Sequence, residues 1–254
     1  MNKPVDFKAL SCKQCIESVD LGFEFTMAFQ PIVAWASKTI FGYEALCRGL
    51  NNESAWSVIQ QVNESNRYRF DQVCRVKAIA LAAKLEIPSV LSINFFPNAV
   101  YKPELCIRTT LEAAKICGFP IERILFEFTE AEKLTSTSHV KQIVESYREM
   151  GFKTATDDFG SGHSGLNMLA DYQTDIIKFD MALVRNIDSD LVRQKIVKHC
   201  VNLCLDLGIT PLAEGIETKA EMEVLQSLGI DLMQGYYFAK PGFECLPEVD
   251  FDQA

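Results

Sequence analysis

Two aspartates stand side by side at Asp157 and Asp158, ahead of a flexible Phe159-Gly160-Ser161-Gly162 turn. Neighbouring carboxylates in one cleft repel each other unless protons or cations neutralise them, which makes the pair a candidate centre for divalent metal ions. One carboxylate could bridge two ions while the other holds the second, and ions about 3.5–4 Å apart suit in-line attack on a phosphate ester. Comparable residues recur along the chain: Glu44, Asn94, Glu127, Lys178, Glu214 and Gln234 each sit near the end of a short apolar or β-branched run. Any one of them taken alone reads equally well as a solvated loop residue or a helix cap. Together they suggest a common cleft. The chain has only three histidines, His139, His163 and His199, so a histidine-rich zinc site is poorly supplied. Hard oxygen donors suit Mg²⁺ or Mn²⁺ instead.

Convergence of residues so far apart needs a scaffold that brings strand ends together. The runs Phe25 to Val33 and Thr39 to Leu46 flank a polar turn at Ser37 and Lys38 and predict a hairpin. Further strands are expected at Val90 to Phe95, Ile124 to Phe128, Lys153 to Thr156, Asp175 to Phe179, Thr210 to Ala213 and Leu232 to Phe238. Between them, apolar residues recur at steps of three and four: Val73, Val76, Ala80, Ala83; Ile107, Leu111, Ala114; Val140, Ile143, Tyr147; and Val192, Ile196, Cys200, Leu203. Alternating strands and helices of this regularity favour an α/β fold, a TIM-like (β/α)8 barrel with one antiparallel strand. No GxGxxG follows the first strand, so an open dinucleotide-binding sheet lacks its phosphate loop.

The whole chain narrows the function further. Its 254 residues carry a formal charge of −9 and no basic cluster, which argues against a DNA or RNA duplex as partner. Apolar runs such as Ala78 to Ala83 are far below the ~18 residues of a membrane span, and the N-terminus has no apolar signal region. Nine scattered cysteines read as reduced thiols, and a cytoplasmic location is expected. Cys12 and Cys15 form a single CxxC in an N-terminal extension, residues 1–23, ahead of a barrel over 24–254. They read as free thiols, with a metal or redox role as the sharper alternative.

The order of motifs carries a resemblance. FQPI at 29–32, YEALCRG at 43–49, SINFFP at 92–97, FEFTE at 126–130, DDFGSGHSGL at 157–166, DIIKFD at 175–180, AEGIET at 213–218 and QGYYFAKP at 234–241 resemble the EAL-domain cyclic di-GMP phosphodiesterases over about residues 24 to 243. That resemblance implies hydrolysis of cyclic di-GMP to linear pGpG with two metal ions, Mg²⁺ or Mn²⁺. It assigns Glu44, Asn94, Glu127 and Asp157 to the first metal, and Asp157, Asp158 and Glu214 to the second. Lys178 matches the lysine beside the attacking water, and Gln234 a residue that helps hold that water. Gln30, Leu46 and Arg48 match substrate contacts, the forked Arg48 being suited to phosphate or guanine. Glu130 matches a glutamate anchoring the loop that carries the aspartate pair.

Water is then expected to attack one phosphorus while the ribose 3′ oxygen leaves. The sequence departs from the family pattern at His163, where tyrosine is usual, and at Gly165, where serine is usual. Those changes bear on loop rigidity and on the homodimer that the resemblance implies, not on the ligand set. Two other readings compete: a catalytically silent receptor or protein-interaction barrel, and a Mg²⁺-dependent enzyme acting on enolates with Lys178 as base. The second explains the carboxylates but not the ordered motifs.

Overall fold

The opening hairpin forms as its polar turn requires, with Lys38 in the left-handed region at φ 51°. In the computed structural model, which describes residues 21–97, 100, 103–129, 137–161 and 166–252, β1 (Thr26–Ala34) runs antiparallel to β2 (Thr39–Arg48) from Thr26↔Arg48 to Ala34↔Thr39. From β2 the sheet continues in parallel through β3 (Val90–Phe95), β4 (Ile124–Thr129), β5 (Lys153–Phe159), β6 (Ile176–Phe179), β7 (Thr210–Ala213) and β8 (Leu232–Met233). Pairing of Val33 with Met233 returns β8 to β1 and closes an eight-stranded barrel whose first strand is antiparallel to both neighbours. A short β9 (Gly242–Phe243) adds to β1 at Ala28 and Phe29.

Two apolar layers hold the barrel. One lies between the sheet and the surrounding helices, which include Arg67–Lys84, Arg108–Cys117, Thr137–Glu149, Leu191–Asp206 and Lys219–Ser227. The other is the barrel floor, where Ile32, Val90, Leu125, Ala155, Ile176, Leu212 and Leu232, each from a different strand, pack inside the closed sheet. Leu21 and Phe23 already pack against the outer layer, ahead of the first strand. Among the described residues, no helix is long and apolar enough to cross a membrane.

Three expectations change. The last strand stops at Met233 rather than running to Phe238. A Cβ at Gly235 would lie 2.0 Å from the Ile216 carbonyl oxygen, and Tyr237 and Phe238 donate backbone bonds to Ile216 and Gly235 in a turn. The fifth strand instead runs past Thr156 to Phe159, so the aspartate pair sits within it. The helix Leu191–Asp206 buries Val197, Val201 and Cys204, leaving Val192 66% and Ile196 45% exposed. Apolar residues flank both sides of that helix, and docking on β7 selects the face one residue further along than the 192/196/200/203 spacing implied.

Candidate active site

The floor explains the site above it. Interior-facing residues on a barrel strand recur every second position. Two residues beyond Leu125, Ala155, Ile176, Leu212 and Leu232 come Glu127, Asp157, Lys178, Glu214 and Gln234. On antiparallel β1 the same step from Ile32 runs backwards to Gln30, and on β3 it runs from Val90 through Ser92 to Asn94. Register places Gln30 opposite Glu44 and Asn94 opposite Glu127. The same step that leaves the floor therefore delivers a polar ring to the mouth.

At the centre of that ring is Lys178, with its side chain 1% exposed. Its Nζ lies 2.6 Å from Glu214 Oε1, 2.7 Å from Glu127 Oε2, 3.1 Å from Asp157 Oδ1 and 3.8 Å from Glu44 Oε2. Amides fix the rest: Asn94 Nδ2 donates to Glu44 Oε1 at 2.7 Å, and Gln234 Nε2 donates to Glu44 Oε2 at 2.8 Å and to Gln30 Oε1 at 3.3 Å. Gln30 Nε2 in turn donates to the Ala239 carbonyl.

The neighbouring aspartates cannot both face the barrel interior on a regular strand, because adjacent side chains point to opposite faces. A register break between Thr156 and Phe159 and a left-handed Asp158, φ 57°, remove that obstacle. Carboxylate oxygens of Asp157, Asp158 and Glu214 consequently lie within 4.8 Å of one another, a set able to hold a metal ion. A non-glycine residue in this conformation costs on the order of 1 kcal/mol or more, which the surrounding packing must offset. The Asp158 backbone N–H steadies the pair by donating to Asp157 Oδ1 at 3.0 Å.

Electrostatics report the same crowding. Burial and the nearby Glu44 push Glu127 up to about 8, although Lys178 opposes the shift. Burial followed by Asp157 holds Glu214 well above the ordinary carboxylate range, and burial with Asp157 and Asp180 raises Asp158 to about 6. Burial disfavours the Lys178 charge, but Asp157, Glu127, Glu214 and Glu44 outweigh it and the ammonium is held. One ammonium does not neutralise five carboxylates, so the ring must take up protons or cations. Its oxygen and amide donors, with no imidazole or thiolate among the described residues of the ring, fit hard divalent ions such as Mg²⁺ or Mn²⁺.

The structure thus brings together Glu44, Asn94, Glu127, Asp157, Asp158, Lys178, Glu214, Gln234 and Gln30. Leu46 and Arg48 follow Glu44 on β2; Leu46 shares a cavity wall with Asn94, while the Arg48 guanidinium donates to the Cys47 carbonyl at 2.7 Å. Glu130, His163, Gly165, Cys12 and Cys15 lie outside the described residues. Sequence reasoning assigned no role to two others. Ser92, fully buried, donates through Oγ to Glu127 Oε1 at 2.5 Å and leaves Oε2 to Lys178. Its signal was an interior-facing hydroxyl two positions after Val90. Asp180 caps the short turn after β6 through Ala182 N and lines, with Asp158, Glu214 and Tyr236, an open cleft of about 290 Å³ over the ring.

Comparisons with known proteins agree with this geometry. The chain is 66% identical, with a TM-score of 0.90, to a standalone versatile EAL protein from Vibrio cholerae O395 in a c-di-GMP-bound form, covering 92% of this chain and 100% of that one. Klebsiella pneumoniae BlrP1, in a manganese and cyclic di-GMP complex, is 36% identical with a TM-score of 0.81, covering 88% of this chain and 57% of that one. Among curated Escherichia coli K12 proteins, the probable cyclic di-GMP phosphodiesterase PdeG is 30% identical over 228 residues, spanning 86% of this chain and 45% of PdeG. The blue light- and temperature-regulated antirepressor BluF is 29% identical over 223 residues, 87% of this chain and 55% of BluF. The chain spans about half the length of those curated relatives. The EAL domain family model matches residues 17–241, and with the ring of strand-end carboxylates in place, the chain belongs to the EAL domain family.

Proposed function

We propose that this chain is a cyclic di-GMP phosphodiesterase that hydrolyses its substrate to linear pGpG with two divalent cations, Mg²⁺ or Mn²⁺. The single observation that carries the reading is the cluster of five carboxylates around one buried ammonium at the barrel mouth. Glu44, Asn94, Glu127 and Asp157 would hold one cation, and Asp157, Asp158 and Glu214 the other. Bound cations supply positive charge to the phosphodiester and make hydroxide available from water near neutral pH. Lys178 Nζ donates toward the attacking oxygen and stabilises the charge that develops on the phosphoryl oxygens. Gln234 orients Glu44 and helps hold the attacking water. Gln30, Leu46 and Arg48 bind substrate, and Glu130 anchors the loop after the aspartate pair. We infer a cytoplasmic protein and, as the family resemblance implies, a homodimer; light scattering at several concentrations tests the dimer.

A second reading is a barrel that binds cyclic di-GMP or a protein partner without turnover; BluF, an antirepressor by name, favours a regulatory role of that kind. Product analysis separates the two. With Mn²⁺, the chain is expected to convert cyclic di-GMP to pGpG and its Asp157→Ala variant is not. Binding without pGpG after prolonged incubation would make it a receptor, and an Asp157→Ala variant of undiminished activity would overturn the site.

A further inference from the structure

Behind the mouth, the outward side of β2 carries a dithiol that hydrolysis does not use. Side chains alternate along the strand, so Glu44, Leu46 and Arg48 share one side while Ala45 and Cys47 turn toward the helices. There Cys47 Sγ lies 3.5 Å from Cys74 Sγ on the helix Arg67–Lys84. Cys47 and Cys74 both line a cavity of about 240 Å³ whose walls include Leu46, Asn94 and Phe95, so one space is shared by the two cysteines, a substrate contact and a metal-ligand candidate. Cys47 is half-buried and Cys74 buried. The hydrogen bond from Cys74 holds the Cys47 thiol below its ordinary value against the opposing effect of burial, with Arg48 and Lys77 adding to it. Burial pushes Cys74 well up. A thiolate-prone sulfur beside a protonated one, in two cysteines that line a cavity, is the environment in which peroxide oxidises the first and the second resolves it.

We propose that Cys47 and Cys74 are a reversible redox site for hydrogen peroxide or a small hydroperoxide, and that closing their disulfide displaces the substrate-contacting end of β2. The Cys47 thiolate attacks one peroxide oxygen; the O–O bond breaks, and the second oxygen takes up a proton and leaves as water or alcohol. Cys47 is then a sulfenic acid. Cys74 sulfur attacks it, the sulfenic oxygen leaves as water with the Cys74 proton, and the S–S bond forms. The two thiols together lose two electrons, which reduce one peroxide.

A disulfide spans about 2.05 Å, so the sulfurs must approach by roughly 1.5 Å. Leu46 and Arg48 flank the cysteine that moves. Both are placed as substrate contacts, so shifting them weakens substrate binding, and a misplacement of about 1 Å can cost tenfold or more. The effect on KM rests on the phosphodiesterase reading above; the cross-link does not.

The test treats the full chain with equimolar hydrogen peroxide, alkylates the remaining thiols and maps peptides without reductant. A linked Cys47–Cys74 peptide that dithiothreitol removes is expected, together with a rise in KM for cyclic di-GMP of about tenfold in the oxidised protein. Cys74→Ser and Cys74→Ala variants are expected to keep the reduced protein's KM after the same treatment. Oxidation of exposed Cys245 without any Cys47–Cys74 link would overturn the proposal, as would a linked protein whose KM is unchanged. If the untreated chain produced no pGpG, the phosphodiesterase reading alone would fall, and the peptide map would still decide the redox site.

Discussion

The floor and the mouth of the barrel are built from the same strands, two residues apart, yet they do opposite work. Leu125, Ala155, Ile176, Leu212 and Leu232 bury apolar surface and close the barrel, whereas one step further along Glu127, Asp157 and Glu214 crowd like charges around Lys178 in one cleft, with Gln234 beside them. The floor contributes stability by the ordinary hydrophobic term. The mouth costs stability in the absence of cations and stores electrostatic demand for them, a demand visible in the raised values of Glu127 and Asp158. One fold can carry both because the floor's packing offsets the mouth's repulsion.

Substitutions in each layer should separate the two roles. Lys178→Met removes the donor at the centre of the mouth and is expected to lower kcat for cyclic di-GMP by about 10²–10³-fold, measured by pGpG release. Near-normal turnover would mean that the lysine serves only to neutralise its neighbours. Leu125→Ala, in the floor, should destabilise the chain by about 3 kcal/mol in urea unfolding while leaving kcat/KM unchanged in the folded population. A floor variant that lost activity but kept its stability would erase the distinction between the layers.

Proton linkage sharpens the comparison further. A carboxyl raised in the folded state keeps its proton there and loses it on unfolding. Its contribution is therefore fully present below the unfolded value and is lost as pH climbs through the folded value. For Asp158 and Glu127 this window runs from their ordinary values of 3.8 and 4.5 to about 6 and about 8, so the cation-free protein should melt at progressively lower temperature across it. Mg²⁺ or Mn²⁺ needs the carboxylates deprotonated, and should raise Tm by about 5 °C at pH 8 and less at pH 5. A cation effect independent of pH in thermal melts would place the ion elsewhere. The smallest effect belongs to Ser92→Ala. Freed Glu127 Oε1 should cost about tenfold in kcat with little change in KM, and the serine would be merely structural if Tm fell and kcat did not.

Much of this was legible in the chain itself. Short apolar and β-branched runs placed eight strands and, with the ordered motifs, named Glu44, Asn94, Glu127, Asp157, Lys178, Glu214 and Gln234 as residues near strand ends. The apolar stripe of the helix Leu191–Asp206 was read one residue short: Cys200 and Leu203 do pack against the core, but Val192 and Ile196 are exposed and Val197, Val201 and Cys204 are buried instead, because the helix is apolar on two sides and docking on β7 chooses between them. The overlong last strand failed for a similar reason: Leu232 to Phe238 is apolar and aromatic on both sides of Gln234 and Gly235, and the close approach of Ile216, in the loop after β7, imposes the turn there.

What the sequence determined by itself was local: where strands lie, which donors stand near their ends, and that the donors are hard oxygen ligands. Side-chain type and short β-branched runs need no distant partner to be read. What only the tertiary structure decided was direction and distance. Asp158 joins Asp157 and Glu214 through a register break and a positive φ, Ser92 finds Glu127, and Cys47 meets Cys74, because barrel closure and helix docking bring together groups whose separation along the chain carries no distance information.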